Sequence, residues 1–424
     1  MKKTIFILCS ILLSVSCQSI AKASSDNEGQ AKYIFYFIGD GMGVNQVNAT
    51  EIYLGQVEGK YGTSPLCFAS FPYTALVTTH SASSGVTDSA ASGTALATGQ
   101  KTKNDVLGLD ATLTQPVNSI AWMAKQEGMA VGVTTTVTTD HATPAAFYAH
   151  TKSRGDKDII RKQRAESGYD FILGAPDDGS LPYRLDRKPG ELSQADIVRM
   201  AIDSLYHVNP NGFFLMSEGG MIDYACHSND AGAMIGEMLD FDDAIKVAYK
   251  FYEQHPDETL IVITADHETG SLVLTHGRYE THIDRLQHQK MTIKQLGKSL
   301  DALRKSQGEN FGWEQAKEFL KENFGLGGAL HLSKDQESRL QTAFTHTING
   351  TGKSQKTLYQ EDNEFCVCVR TIMQEQAHIA FAYTCHSAGY VPCFAIGVGA
   401  ELFHGRIDNT DIPKKIIKAA GWKN

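Results

Sequence analysis

Short apolar runs alternate along the chain with stretches of helical spacing. Runs rich in β-branched and aromatic residues predict buried strands at 33–38, 74–78, 129–137, 212–216 and 259–264. Apolar positions three or four residues apart predict helices at 118–127, 193–205 and 231–252. Because strands and helices alternate, right-handed βαβ units are expected. The pattern therefore predicts an α/β fold with an open, mostly parallel central sheet covered by helices on both faces.

A helical segment interrupts this alternation after residue 285. Apolar spacing predicts one helix from Ile293 and a second from Trp313. Ser333 with Gln336 forms a capping box for a third helix, which we expect to run through Phe344. Three consecutive helices without an intervening strand are typical of an insertion in an α/β domain.

The strand pattern returns after this segment. Apolar runs at 379–383 and 392–398 predict core strands, and 411–420 predicts a closing helix. No internal repeat divides the chain. We therefore expect a single α/β domain over 24–424, with a helical insertion at about 285–375.

The N-terminus has the features of a secretory signal. Two lysines follow the initial methionine, residues 5–15 are apolar, and Ala21-Lys22-Ala23 forms a small-residue cleavage site. A signal peptide over 1–23 predicts a periplasmic or secreted protein. Val-Ser-Cys at 15–17 leaves a second interpretation open, a membrane-anchored lipoprotein with Cys17 lipidated. Both interpretations imply export.

Composition narrows the function further. The 424-residue chain has a formal net charge of −9, which argues against a nucleic-acid partner bound through its phosphates. An oxidising compartment would permit disulfides, but six cysteines allow fifteen pairings and the sequence selects none. A thiolate zinc site is not expected because no Cys-x-x-Cys pair is present. The cysteines that remain after cleavage are Cys67, Cys226, Cys366, Cys368, Cys385 and Cys393.

Residues 86–94 contain a candidate nucleophile. They read Val-Thr-Asp-Ser-Ala-Ala-Ser-Gly-Thr, and Ser89 heads a run of small residues that ends at Gly99. We interpret the run as a tightly packed helix with Ser89 at its N-terminus, where free N–H groups favour an anion. A hydroxyl in that place is positioned to attack an electrophile. An ordinary helix-capping serine is the alternative, and this stretch alone does not decide between the two.

Carboxylates fall repeatedly at the ends of the predicted strands. Asp40, Glu218, Asp223 and Asp266 each lie at or shortly after the C-terminal end of an apolar run. In an open parallel sheet ligands bind at this edge, so these acids are expected to converge. Clustered carboxylates repel one another, and a bound cation is the natural way to stabilise them.

Histidines accompany these acids. His227 follows Asp223 by four residues, which places both on one face of a helical turn. His267 is adjacent to Asp266, and His386 follows another predicted strand. Mixed Asp and His ligands suit zinc.

Two further residues follow the strand at 129–137. His141 and Thr143 lie just after its predicted end. With Asp40 and Glu218, Thr143 would complete an oxygen-only set, which suits magnesium.

Each of these residues also has a structural alternative. Asp40 in Gly-Asp-Gly could be a turn residue, and Asp223 with His227 a surface helix pair. Thr143 could cap the helix that starts near Pro144. The joint placement at strand ends, beside a serine at a helix N-terminus, favours a metal site.

These segments resemble the alkaline phosphatases. The resemblance covers about 32–280 and 379–400 and leaves the insertion outside. The segments that carry it occur in family order: 39–43, 86–94, His141-Ala-Thr-Pro-Ala-Ala with Arg154, Glu218-Gly with Asp223 and His227, Thr264-Ala-Asp-His267, and His386-Ser.

The resemblance implies a phosphate-monoester hydrolase of broad range with a phosphoserine intermediate at Ser89. Arg154, which alone would be taken for a solvated surface residue, resembles the arginine that holds two phosphate oxygens. It further implies two zinc ions, one magnesium ion, and phosphomonoesters and inorganic phosphate as ligands. Because the family usually dimerises, a homodimer stays open. The implied metal sets are Asp223, His227 and His386 for the first zinc; Asp40, Asp266, His267 and Ser89 for the second; and Asp40, Thr143 and Glu218 for magnesium.

Two positions near the phosphate depart from the best-known bacterial pattern. His141 stands in place of an aspartate, as in the animal enzymes, and Tyr224 in place of a lysine. Tyr224 cannot supply a full positive charge, so the hypothesis is that phosphate is held less tightly and released faster.

Two rival functions remain at this stage. One is a phosphodiesterase or a sulfatase-like relative on the same fold, and the other is a non-catalytic phosphate-binding surface protein. Arg154 and the third metal set favour a monoester dianion, and an intact Ser89 argues against a protein that only binds.

Overall fold

The structure, a computed structural model, describes residues 30–176, 179–209, 211–275, 277 and 279–423. The predicted signal segment 1–23, with Cys17, lies outside these ranges. The strands of the described residues are β1 Tyr33–Gly39, β2 Tyr73–Thr78, β3 Ala130–Thr138, β4 Phe171–Ala175, β5 Phe213–Gly219, β6 Thr259–Thr264, β7 Glu268–Thr269, β8 Leu272–Val273, β9 Gln355–Lys356, β10 Glu361–Asp362, β11 Ala380–Phe381, β12 His386–Ser387, β13 Val391–Gly397 and β14 Gly405–Asp408.

Helices connect and cover these strands. The α-helices are α1 Val44–Val57, α2 Ser89–Thr98, α3 Ile120–Gln126, α4 Ala142–Ala145, α5 Lys157–Glu166, α6 Gln194–Val208, α7 Met221–His227, α8 Ala231–Gln254, α9 Ile293–Gln307, α10 Trp313–Phe324, α11 Lys334–Ile348, α12 Glu364–Ala377 and α13 Asp411–Ala420. Short 3-10 helices lie at Phe68–Ser70, Ile283–His288, Gly308–Asn310 and Ala400–Leu402. Across the described ranges, no helix is both long and apolar enough to cross a membrane.

Eight strands form the main sheet, in the order β14-β2-β13-β6-β1-β5-β3-β4. β1 lies near the centre and pairs in parallel with β5 and β6. Phe35 and Phe37 on one face pack against rings of α8, Phe251 and Phe241. Tyr36 on the other face donates a hydrogen bond to the Leu96 carbonyl of α2. Both faces are therefore covered, which is why β1 reads as a continuous apolar run and confirms the predicted α/β class.

One strand of the main sheet, β13, runs against the others. It pairs antiparallel with both β2 and β6. Its first residue therefore lies at the edge where the parallel strands end, and the segment just before β13 reaches that same edge. The alternation of strands and helices does not predict this reversal.

The predicted insertion is helical and continuous with the core. α9, α10 and α11 begin at Ile293, Trp313 and Lys334, and Ser333 forms the predicted capping box with Gln336. A further helix, α12, was not predicted, and it packs against α8 of the main domain. α1 and β4 were also missed.

The apolar run at 379–383 is not a core strand. Only Ala380–Phe381 is extended, as β11, and it pairs with β8 in a separate two-stranded sheet. The prediction followed the apolar character of the run, but the main-sheet position beside β6 is taken by β13.

Candidate active site

Ser89 is the first residue of α2 and not its cap. The cap is Asp88, whose Oδ1 accepts a hydrogen bond from the Ala91 N–H at 3.0 Å. The Ser89 hydroxyl is thereby left free of capping, and its Oγ lies 3.2 Å from Nε2 of His267. The alternative of an ordinary capping serine is wrong here, because the neighbouring aspartate does that work.

Small residues bring α2 close to its neighbours. A Cβ at Gly93 would lie 3.3 Å from the Ala146 Cβ, so the helix packs tightly beside α4. On the sheet side, Ser92 donates a hydrogen bond of 2.6 Å to the Asp266 carbonyl. The run of small residues therefore fixes Ser89 relative to the chain that leaves β6.

Asp40, Asp266 and His267 form one cluster of possible ligands next to Ser89. His267 Nε2 lies 3.5 Å from Asp40 Oδ1 and 3.2 Å from Asp266 Oδ2. Asp266 Oδ1 accepts hydrogen bonds from the backbone N–H groups of Gly41 and His267, which holds the carboxylate in place. All three side chains are fully buried. Asp40 does lie in the turn after β1, but its side chain is buried in this cluster.

Asp223, His227 and His386 form a second cluster. His227 Nε2 lies 3.3 Å from Asp223 Oδ2 and 3.1 Å from His386 Nε2. The other ring nitrogens are held by backbone carbonyls, His227 Nδ1 by Thr384 and His386 Nδ1 by Thr87. These contacts turn both Nε2 atoms toward Asp223, as metal-binding histidines require. Both residues of the α7 pair are buried, so the surface-pair alternative is wrong.

The third group lies on the far side of Asp40. Ligand atoms of Asp40, His141 and Glu218 all fall within 4.8 Å of one another. Thr143 lies in α4 with its Oγ1 buried and unpaired within the described structure. The residue that caps α4 is His141, so Thr143 is not a cap. His141 is therefore close enough to be a ligand of this group, whereas the sequence predicted it as a residue that contacts the phosphate.

Several buried polar atoms around these clusters have no hydrogen-bond partner among the described residues. Burial raises the pKa of Asp40 well above its ordinary value, and the carboxylates of Asp266 and Asp223 raise it further. Burial likewise lowers the pKa of His267 well below its ordinary value. Such atoms fit cations, which would satisfy them and offset the repulsion. They are Asp40 Oδ1 and Oδ2, His141 Nδ1, Thr143 Oγ1, Glu218 Oε1, Asp223 Oδ2 and Asp266 Oδ2.

Arg154 lies in the loop before α5 and points into the site. Its Nη2 is 3.1 Å from His141 Nε2, and its Nη1 is 3.6 Å from Asp88 Oδ2. The side chain is three-quarters buried, which excludes a freely solvated arginine. Its positive charge lowers the pKa of Asp40 and so partly offsets the repulsion among the carboxylates.

Sequence reasoning missed Thr269 and Tyr359. The Thr269 hydroxyl donates to Asp223 Oδ1 at 2.6 Å and lies 3.2 Å from His267 Nδ1, so it links two clusters. Tyr359 comes from the insertion and stacks on Tyr224 with ring centroids 3.6 Å apart. Thr269 lies only two residues after His267, but no distinctive spacing marks it in the sequence, and no local pattern marks Tyr359.

The structure brings all twelve predicted site residues to one edge of the sheet. The prediction that His386 follows a core strand was nevertheless wrong, because His386 does not come at the end of a main-sheet strand. It lies in β12, which pairs with β7 just after His267. It reaches the edge because the following strand, β13, is antiparallel.

Comparisons with known proteins agree with this geometry. The alkaline phosphatase family model matches residues 31–169 and 155–422. Alkaline phosphatase 4 of Bacillus subtilis is 30% identical over 461 residues, which covers 96% of this chain and 93% of that protein. The cold-active alkaline phosphatase of a psychrophilic Shewanella species has a TM-score of 0.79 at 25% identity, covering 92% of this chain and 99% of that one.

A second solved structure carries a metal. A variant of the TAB5 alkaline phosphatase has Mg bound in its M3 site. Its TM-score to this chain is 0.62 at 23% identity, and the match covers 93% of this chain and 99% of that one. Its likeness to this chain shows the fold. The family model and the Bacillus relative each extend over nearly the whole described chain, and the buried clusters fit cations. The protein belongs to the alkaline phosphatase family of metal-dependent phosphatases.

Proposed function

We propose that this protein is an exported phosphate-monoester hydrolase of broad substrate range that acts through a phosphoserine at Ser89. One observation carries the proposal. The Ser89 hydroxyl, freed from capping, lies 3.2 Å from His267 at an edge where buried carboxylate oxygens lack partners. A nucleophile beside cation-binding groups is the arrangement that phosphoryl transfer needs.

The residues divide into three ligand sets. Asp223, His227 and His386 would hold one zinc, and Asp40, Asp266 and His267, with Ser89, a second. Asp40, Thr143 and Glu218 would hold magnesium, because oxygen ligands suit that ion. Bound ions would lower the pKa of the serine hydroxyl and stabilise the leaving oxygen.

In the first chemical step Ser89 Oγ attacks the phosphorus of the ester, and the bond to the leaving alcohol breaks. Water then attacks the phosphorus of the phosphoserine, which releases inorganic phosphate and restores Ser89. Arg154 would bind two oxygens of the transferring group through its planar guanidinium. His141 and Tyr224 would line the same phosphate.

Hydrolysis of p-nitrophenyl phosphate, compared with the bis-ester, tests the function. With zinc and magnesium supplied we expect turnover of the monoester, loss of it on chelation, and little hydrolysis of the diester. Ser89→Ala is expected to lose activity by about 10³-fold or more while still binding metal. Preferred hydrolysis of the diester would favour the phosphodiesterase alternative. Phosphate binding without turnover would favour the non-catalytic one.

The location of the protein is part of this proposal. Cleavage after residue 23 would yield a periplasmic or secreted enzyme, and lipidation of Cys17 an anchored one. The N-terminal residue of the mature protein, read by mass spectrometry, distinguishes them.

Size-exclusion chromatography with light scattering tests the homodimer. The described cysteines are all free thiols in this structure.

A further inference from the structure

The ligand clusters around Ser89 at the end of the main sheet are called the catalytic edge. The two ends of the insertion meet at a group of side chains that shares no residue with these clusters. The incoming chain passes through Glu280 and His282 before the 3-10 helix at Ile283–His288. The outgoing chain leaves α12 at His378, which caps that helix. The His282 N–H donates to the Ala377 carbonyl at 3.0 Å, so the two ends are in direct contact. We call Glu280, His282 and His378 the neck cluster.

The side chains of the neck cluster converge. His378 Nδ1 lies 3.7 Å from Glu280 Oε1, and His282 Nε2 lies 3.9 Å from Glu280 Oε2. One ligand atom from each residue falls within 4.8 Å of the others. The two imidazole rings have centroids 4.7 Å apart. Two histidine nitrogens and a carboxylate are a ligand set that zinc commonly takes.

The spacing matches that of an ion-binding set. Ligand atoms about 2.1 Å from a tetrahedral zinc lie about 3.4 Å from one another. In the catalytic clusters the corresponding separations are 3.3 Å between His227 and Asp223 and 3.8 Å between His386 and Asp223. In the neck cluster, the distance of 3.7 Å between His378 and Glu280 falls within this range, and the distance of 3.9 Å between His282 and Glu280 lies just beyond it.

The nitrogen of His378 is prepared for a ligand role. Its Nδ1 is buried and accepts or donates no hydrogen bond within the described structure. Burial lowers the pKa of this ring and the neighbouring His282 lowers it further, while Glu280 raises it in part. A neutral imidazole keeps a lone pair available for a metal.

We propose that the neck cluster binds a zinc-class divalent cation and that this ion clips the insertion to the domain. The ion would join chain segments on either side of roughly 95 residues, so it would limit opening of the insertion at its base. Glu280 and His282 are partly exposed, which leaves room for water as a fourth ligand and for exchange with solution. The site is separate from the three catalytic groups.

Crystals grown with zinc chloride test the site directly. Anomalous difference maps at the zinc edge are expected to show a peak between His282 and His378 in addition to those at the catalytic edge. The peak at the neck should vanish in His282→Gln and in His378→Asn. Asparagine is chosen because residue 378 has a φ of 53°, a left-handed conformation that asparagine tolerates. No peak at the neck of the wild type with millimolar zinc would overturn the proposal.

Thermal unfolding gives an independent measurement. With the catalytic sites already loaded, added zinc should raise the unfolding midpoint of the wild type by a few degrees. His282→Gln should show no such rise while keeping its activity on p-nitrophenyl phosphate. His346→Asn is the matched control, because it also removes a histidine that contacts a glutamate, 3.0 Å from Glu364. An equal rise in wild type and His282→Gln would contradict the site without affecting the proposed function.

Discussion

The catalytic edge and the base of the insertion, where α12 meets the end of α7, both contain buried charged side chains. These side chains are paired at the base and unpaired at the catalytic edge. At the base, Arg370 and Asp362 are each about 5% exposed and form an ion pair of 2.9 Å. Arg370 also donates to the Ser228 carbonyl at the end of α7. At the catalytic edge, both carboxylate oxygens of Asp40 are buried without a hydrogen-bond partner in the described structure.

Whether a buried charged side chain has a partner within the fold distinguishes a structural role from a ligand-binding one. A buried pair whose hydrogen bonds are made is satisfied within the fold and needs no added ligand. An unpaired buried carboxylate costs free energy until a ligand satisfies it. At the catalytic edge the fold therefore brings together carboxylates that repel one another, and bound cations would offset this repulsion. Neutralising one carboxylate in each region should thus have effects of opposite sign on stability.

Asp40→Asn is expected to have the largest effect on activity. Because Asp40 belongs to two ligand groups, its loss should lower kcat/KM for a phosphate monoester by about 10³-fold or more. The same change removes repulsion, so the metal-free variant should unfold at a higher temperature than the metal-free wild type. Calorimetry in chelator measures this. A lower midpoint for the variant would break the comparison.

Asp362→Asn should act in the other direction. It leaves the Arg370 charge buried without its carboxylate, which typically destabilises by about 3–5 kcal/mol. Urea unfolding of the metal-loaded protein measures the loss. Glu318→Gln is the matched control, because its ion pair with Lys321 is exposed, and little change is expected there. Equal stability of the two variants would show that the buried pair does not hold the insertion.

Tyr224→Lys sharpens the account of the catalytic edge. An added cation near the phosphate should tighten product inhibition by about tenfold, or ~1.4 kcal/mol. The inhibition constant for inorganic phosphate is the measurement. Tyr224→Phe removes the hydroxyl and adds no positive charge, so the inhibition constant should change little. If the lysine variant binds phosphate no more tightly, the missing cation does not set product release.

Tyr359→Ala should give the smallest effect, and it tests whether the insertion contributes to the site. Loss of the stack on Tyr224 should raise KM roughly two- to fivefold with little change in kcat. Tyr61→Ala removes a fully exposed ring and serves as the control. An unchanged KM in Tyr359→Ala would confine the site to the sheet and its loops.

The hydrophobic pattern of a segment predicts a helix or strand well when the segment's own residues determine which of its faces is buried. β6 has the bounds that its apolar run predicts, and the four-residue spacing of Asp223 and His227 falls within the seven-residue helix α7. Whether a strand runs parallel or antiparallel depends on partners far along the chain. The reversal of β13 and the true position of His386 were therefore not readable from periodicity.

The missed residues have a similar cause. Tyr359 lies between the two short strands β9 and β10, where no regular period exists. Its partner Tyr224 is distant in sequence, and their stacking is a product of how the insertion docks. Thr269 was closer to detection, but a threonine after an Asp-His pair has no distinctive spacing. The metal-binding chemistry could be predicted from the sequence, and the groups that support it could not.

The wide separation of the catalytic groups along the chain has a consequence for synthesis. Ser89 and His267 are 178 positions apart, and His386 contacts the Thr87 carbonyl across 299 positions. Contacts of such long range form late, because the intervening chain must first be brought together. A chain that ends before His386 thus lacks the complete set of ligand groups and is expected to be inactive. Activity is therefore expected to report on completed folding of the C-terminal strands.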